Sequence, residues 1–118
     1  MLLKRNGFTM IDLLIVIIII GVLAAFAVPR FTDSKKRAYI AAMESDLRNI
    51  VPGAESKFSE DATYANYVPA AGSSGITITF TGARNSWEAT ARHSALPGVV
   101  CRIERDPAVS AVSEPVCQ

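Results

Sequence analysis

From residue 8 to residue 31 the chain is apolar with almost no relief. Residues 13–29 (LLIVIIIIGVLAAFAVP) carry no charge, and extending back to Phe8 gives a stretch interrupted only by Asp12. As a helix rising about 1.5 Å per residue it reaches about 33 Å, comparable to a bilayer hydrocarbon core of about 30 Å. It is apolar on every face, unlike the one-sided stripe of a surface helix.

Beyond Arg30 the pattern changes period. Ile40, Met43, Leu47, Ile50, Val51, Ala54 and Phe58 recur at helical three- and four-residue spacing, and Lys36, Arg37, Glu44, Asp46 and Arg48 supply a wet face. This predicts an amphipathic helix half over residues 36–58, continuous with an apolar half over 8–35. Two prolines bear on it. Pro29 lacks an amide donor and crowds the preceding turn, which predicts a bend there. Pro52-Gly53 predicts either a kink or an end near Asn49.

Residues 59–74 (SEDATYANYVPAAGSS) are rich in turn formers and read as a connecting loop. Ile76, Ile78 and Phe80 then alternate with Thr77, Thr79 and Thr81, the pattern of a half-buried strand. After a turn at 82–86, Trp87–His93 and Val99–Glu104 read as two more strands, separated by Leu96-Pro97-Gly98. The expected class is α+β: one long N-terminal helix packed on a small antiparallel sheet of about three strands, with residues 75–118 as the sheet-bearing head.

Composition narrows the possible functions. A chain of 118 residues holds one compact domain plus one further segment. A net charge of +1 supplies no broad basic field, so charge does not indicate nucleic-acid binding. Cys101 and Cys117 are the only cysteines; a single disulfide formed in an oxidising compartment fits them, with two buried thiols as the alternative. A bridge closing that loop would contribute about 3 kcal/mol. Zn²⁺ prefers four ligands and His93 is the only histidine, which argues against a metal site. No nucleophile, base and orienting group fall at recognisable spacing, no cofactor is implied, and an enzyme is not expected. Trp87 reads as core.

The most informative residues are Lys4-Arg5-Asn6-Gly7-Phe8-Thr9-Met10-Ile11-Asp12-Leu13-Leu14-Ile15-Val16. Here the chain resembles the type IV pilin family and its pseudopilin relatives, whose precursors carry a short basic leader ending in Gly, then Phe-Thr-Leu-Ile-Glu-Leu-Leu and an apolar run. Gly7, Phe8, Thr9, Ile11 and the Leu-Leu-Ile-Val block match, and Pro29 stands at the family's helix-bending position. Met10 and Asp12 depart from the usual Leu and Glu. The resemblance implies the type IV pilin fold and a leader of residues 1–7, cut after Gly7 by a prepilin peptidase on the cytoplasmic face. Phe8 is then the methylated mature N-terminus. It further implies a single-pass inner-membrane stage with the C-terminal domain outside the cytoplasm, and assembly by an ATPase-driven machinery into an extracellular helical homopolymer. Such filaments serve adhesion, twitching motility, DNA uptake or secretion. The region bounded by Cys101 and Cys117 resembles the C-terminal disulfide-bounded region of many type IV pilins.

Asp12 is where chemistry enters. A carboxylate in a membrane helix costs about 2.5–3.5 kcal/mol on insertion scales and calls for a partner. The resemblance implies the amine of Phe8, on an adjacent subunit. The alternative places Asp12 at the membrane surface, favoured by the helix N-terminal dipole. Gly21, Ala24 and Ala25 are small enough to permit close helix packing. Basic residues flank both ends of the apolar run, Lys4 and Arg5 before it and Arg30, Lys35, Lys36 and Arg37 after it, so charge bias does not by itself set the orientation. Two other readings stay open: a type II secretion pseudopilin or minor pilin, and an ordinary secreted protein cleaved after Ala27 in Ala25-Phe26-Ala27.

Overall fold

The computed structural model describes residues 7–108 and 111–118. In chain order its elements are α1 (Met10–Asp61), β1 (Ile76–Gly82), β2 (Trp87–His93), β3 (Val100–Asp106), β4 (Ala111–Val112) and β5 (Val116–Cys117). The chain divides into two compact units, residues up to Lys35 and Lys36–Gln118. Of the seven expected leader residues, 1–6 lie outside the described residues.

In the first unit α1 is helical through Pro29. A proline there removes the amide that would bond the Ala25 carbonyl. Two hydroxyls turn back onto the backbone close by: Thr32 Oγ1 donates to the Val28 carbonyl at 3.2 Å, and Ser34 Oγ to the Arg30 carbonyl at 3.0 Å. Back-bonding of this kind competes with the helical ladder and favours bending.

In the second unit α1 runs on through Pro52-Gly53 to Asp61. It does not end near Asn49, and it passes Phe58 by three residues. Packing outweighs propensity here. Met43, Leu47 and Ile50 before Pro52 and Ala54 after it are buried in one core, so ending the helix early would remove an anchor. Pro52 itself is exposed, where water can satisfy the carbonyl its ring leaves free. Gly53 lies beneath a side chain of the loop that follows α1. The Tyr67 phenol crosses it so closely that an added Cβ would stand 2.3 Å from the hydroxyl oxygen. The helix ends at Ala62, which takes the left-handed conformation (φ 51°) and donates its amide to the Phe58 carbonyl at 2.8 Å.

β1, β2 and β3 form an antiparallel sheet with Ile78 opposite Ala91, Ala91 opposite Cys101, Phe80 opposite Ala89, and Ala89 opposite Ile103. The predicted faces hold: Ile76, Ile78 and Phe80 turn toward the core while Thr77, Thr79 and Thr81 are exposed. Trp87, Ala89, Ala91, Cys101 and Ile103 complete the inner face against α1. Fully burying a large apolar side chain is worth about 1.5–3 kcal/mol, so this patch and the facing helix stripe hold the head together. Beyond the three predicted strands, β4 and β5 share the outer edge of β3. β4 pairs with Arg105 and Asp106, and β5 with Cys101 and Arg102. Two-residue strands are too short to carry a periodicity, and only the closing of the chain onto β3 defines them.

The loop after α1 is tied down at both ends. Tyr64 is fully buried, its amide donating to the Ala83 carbonyl at 3.1 Å. Asp46 on the helix accepts from the Ser73 amide at 2.7 Å and from its hydroxyl at 2.8 Å. At Gly82 the crossing is tight enough that a Cβ would lie 2.1 Å from the Tyr64 carbonyl oxygen.

Candidate functional site

The start of α1 carries the site. Gly7, Phe8 and Thr9 are not helical, and an added Cβ at Gly7 would meet nothing within 4 Å. The Gly7–Phe8 bond therefore lies in accessible, non-helical chain directly ahead of the helix, and Phe8 is 85% exposed.

Thr9 caps the helix. Its amide donates to Asp12 Oδ2 at 3.0 Å and its hydroxyl donates to the same oxygen at 2.7 Å, while the Asp12 amide approaches Thr9 Oγ1 at 3.4 Å. The Asp12 and Leu13 amides also reach the Thr9 carbonyl at 3.1 and 3.4 Å. This is a capping box, in which the cap residue and the carboxylate three positions on satisfy each other's amides. The Thr-x-x-Asp spacing is visible in the sequence; the carboxylate's place in an apolar run drew the reading toward a charge partner instead. Oδ2 takes both Thr9 donors, and Oδ1 has no hydrogen-bond partner among the described residues. The arrangement holds the carboxylate against Thr9 at the very start of the helix.

From Met10 to Phe31 the large apolar side chains are exposed on every face of the helix. Its length and composition suit a membrane crossing. Gly21 has nothing within 4 Å of an added Cβ, leaving room for another helix to approach. At the end of this stretch the Lys35 ammonium lies 4.8 Å from the centre of the Phe31 ring.

In the head, Cys101 and Cys117 are joined, their Cα atoms 3.9 Å apart on directly opposed residues of β3 and β5. The bridge clamps the last strand to the sheet, and Cys101 itself is fully buried. A half-buried polar cluster ties α1 to the sheet. Glu55 accepts from the Tyr64 hydroxyl at 3.1 and 3.2 Å and pairs with Arg105, whose guanidinium lies 5.4 Å from the Tyr64 ring centre. Burial, and then the bond to Glu55, push the Tyr64 phenol above its usual range. Sequence reading missed this trio, because nothing local relates positions 55, 64 and 105.

His93 is buried and stacked on Tyr39 at 4.2 Å, with Nδ1 accepting from the Ala95 amide at 3.0 Å. It is a packed wall residue. Trp87 is 2% exposed and stacked on Phe80, as expected of core, and its indole nitrogen has no hydrogen-bond partner among the described residues. An open groove of about 410 Å³ past Trp87 is lined by Glu88, Glu104, Arg105 and Asp106, with no histidine or cysteine among its walls. Among the described residues no cluster of three His, Cys, Asp or Glu side chains could hold a metal ion.

Comparison with known proteins gives partial matches. The chain is 36% identical over 64 residues to the type IV major pilin protein PilA of Myxococcus xanthus, covering 54% of this chain and 29% of that protein. It is 39% identical over 56 residues to a fimbrial protein of Pseudomonas aeruginosa, covering 48% and 36%. It is 47% identical over 49 residues to the type IV narrow pilus major component PilA5 of Thermus thermophilus, covering 39% and 42%. The chain thus spans less than half the length of these curated relatives. No family model and no solved structure matches.

Proposed function

We propose that this chain is the precursor of a type IV pilin, a membrane-anchored subunit that polymerises through its N-terminal helix. The observation that carries this reading is the junction at residue 7: an accessible, non-helical Gly7–Phe8 bond set directly before a capped helix that is apolar on all sides. A prepilin peptidase cuts at that bond and Phe8 becomes the methylated N-terminus. Leader removal ahead of the apolar segment leaves the anchor attached, so the helix serves first in the inner membrane and then in the filament core. Similarity to proteins named as type IV pilins and fimbrial proteins supports the same reading, and two of those are named as major components.

The new amine of Phe8 is close to Asp12 in sequence and pairs with the Asp12 carboxylate of a neighbouring subunit, neutralising both charges away from water. Pro29, with the Thr32 and Ser34 back-bonds beside it, marks the bend of the helix. An ATPase-driven machinery draws the subunit out of the bilayer, and contacts between apolar helices replace contacts with lipid. The disulfide-clamped head faces the outside of the filament. A signal-peptidase cut after Ala27 fits less well, because the apolar stretch ahead of it, from Phe8 on, is longer than the about 7–15 residues usual for a signal peptide and carries Asp12 near its start.

The test is the intact mass and N-terminal residue of the mature protein from its native host. A methylated Phe8 start is expected. A start at Val28 overturns the proposal in favour of a secreted soluble protein.

A further inference from the structure

Charge is unevenly distributed along α1. Residues 30–37 carry Arg30, Lys35, Lys36 and Arg37 against Asp33, whereas residues 44–61 carry five carboxylates against Arg48 and Lys57. Lys36 and Arg37 are exposed and enter no ion pair among the described residues. Most of the acids are occupied. Glu55 is held by Arg105 and Tyr64, Asp46 by Ser73, and Glu44 is half-buried against the Cys117 sulfur at 3.6 Å. Glu60 and Asp61 differ: both are exposed and share the single Lys57, at 3.5 and 2.9 Å. They also sit in the last turn of the helix, where the free carbonyls make a carboxylate unfavourable and a cation welcome, and no basic residue occupies that turn.

In a helical homopolymer every subunit points the same way along the axis. Copies side by side in register set the basic stretch against its own kind. Copies displaced by the distance between the two charge groups set it against the acidic end.

We propose that Lys36 and Arg37 of one copy bind Glu60 and Asp61 of a second copy of this chain, displaced by about 36 Å along the helix axis, and that this contact sets the packing register of the subunits. The inference rests on the pilin reading and gives that assembly its register. The contact between Phe8 and Asp12 calls for a smaller displacement and is made with a different neighbour, as a helical polymer allows. Four charges meeting with complementary sign discriminate between registers more than they add affinity.

Charge exchange in the full-length chain in its native host tests the contact. Lys36→Glu with Arg37→Glu, and separately Glu60→Lys with Asp61→Lys, are each expected to lower filament yield by roughly tenfold or more, since like charges then meet across the contact. All four changes together restore the yield to within about threefold of the unaltered chain if the charges meet only each other. Membrane abundance and Cys101–Cys117 oxidation report whether each variant folds. A quadruple variant assembling no better than the doubles overturns the contact, as do doubles that assemble normally. A basic-side double that alone fails, unrescued, assigns the basic stretch instead to anionic lipid headgroups. If a double variant does not accumulate, Lys36→Cys combined with Asp61→Cys and a short thiol-to-thiol crosslinker decides, because a lysine–carboxylate pair holds its Cα atoms farther apart than a direct disulfide reaches. A crosslinked ladder in filaments is expected, and monomer alone overturns the proposal. An unaltered chain that forms no filaments sinks the pilin reading itself; filaments without rescue or ladder sink only this contact.

Discussion

Gly82 and Gly53 show how two glycines in one chain carry different obligations. An added methyl at Gly82 meets backbone, the Tyr64 carbonyl oxygen at 2.1 Å and its carbon at 2.7 Å. Backbone pinned by a buried tyrosine cannot yield cheaply. Gly82→Ala is therefore expected to destabilise the head by about 3 kcal/mol, the upper range for overpacking. At Gly53 the obstacle is the tip of the Tyr67 side chain, which can swing, and alanine gains about 1 kcal/mol of helix propensity over glycine. Gly53→Ala is expected to lie within about 1 kcal/mol of the unaltered protein. Denaturant unfolding of the two full-length variants in detergent checks the contrast, and equal losses would contradict it. The same scale applies to Asp12, whose Oδ2 caps the helix through Thr9, which leaves Oδ1 for the proposed pairing with a charge.

The elements of the head differ in how they are held. α1 and the three long strands are secured by a shared core, whereas β5 pairs over two residues and depends on the bridge from Cys117 to Cys101. Replacing both cysteines by serine is expected to cost about 2–5 kcal/mol, as loss of a native disulfide usually does in a small exported domain. Amide exchange should quicken first in residues 111–118 while β1 and β2 keep their protection. Uniform loosening of all strands would mean that the bridge secures the whole sheet. The two prolines of α1 belong to this scale as well. Pro52 lies within a stretch anchored on both sides by core residues, and Pro29 within one whose apolar side chains are exposed.

For the whole molecule, the reading as a filament subunit makes Asp12 its sharpest test. Asp12→Ala removes the capping carboxylate and the partner of the Phe8 amine. Membrane insertion is expected to persist, since deleting a carboxylate makes the helix easier to insert. Assembly is expected to fail, because an amine left without its partner in the filament core costs about 3–5 kcal/mol per subunit. Filament yield compared with membrane abundance is the measurement, and normal yield would refute the pairing. Asp12→Glu should assemble, because it keeps both the charge and the capping spacing.

Much of this was written locally. The apolar run, the 43-47-50-54 stripe, the alternation of Ile and Thr in β1 and the Gly7–Phe8 motif each depend on residues a few positions apart, and periodicity reports such relations directly. The capping box at Thr9 and Asp12 was equally local and could have been read from its spacing. What lay beyond the sequence depends on residues far apart in the chain. α1 passes Pro52 because Ala54 is anchored in a core built largely by strands that follow it, and Tyr67 folds back over Gly53. Glu55, Tyr64 and Arg105 meet only when α1, its loop and β3 close on one another, and β4 and β5 exist only as edges of β3. Propensity and pattern act over one or two turns of chain; these contacts are fixed by three-dimensional packing, which no local window contains.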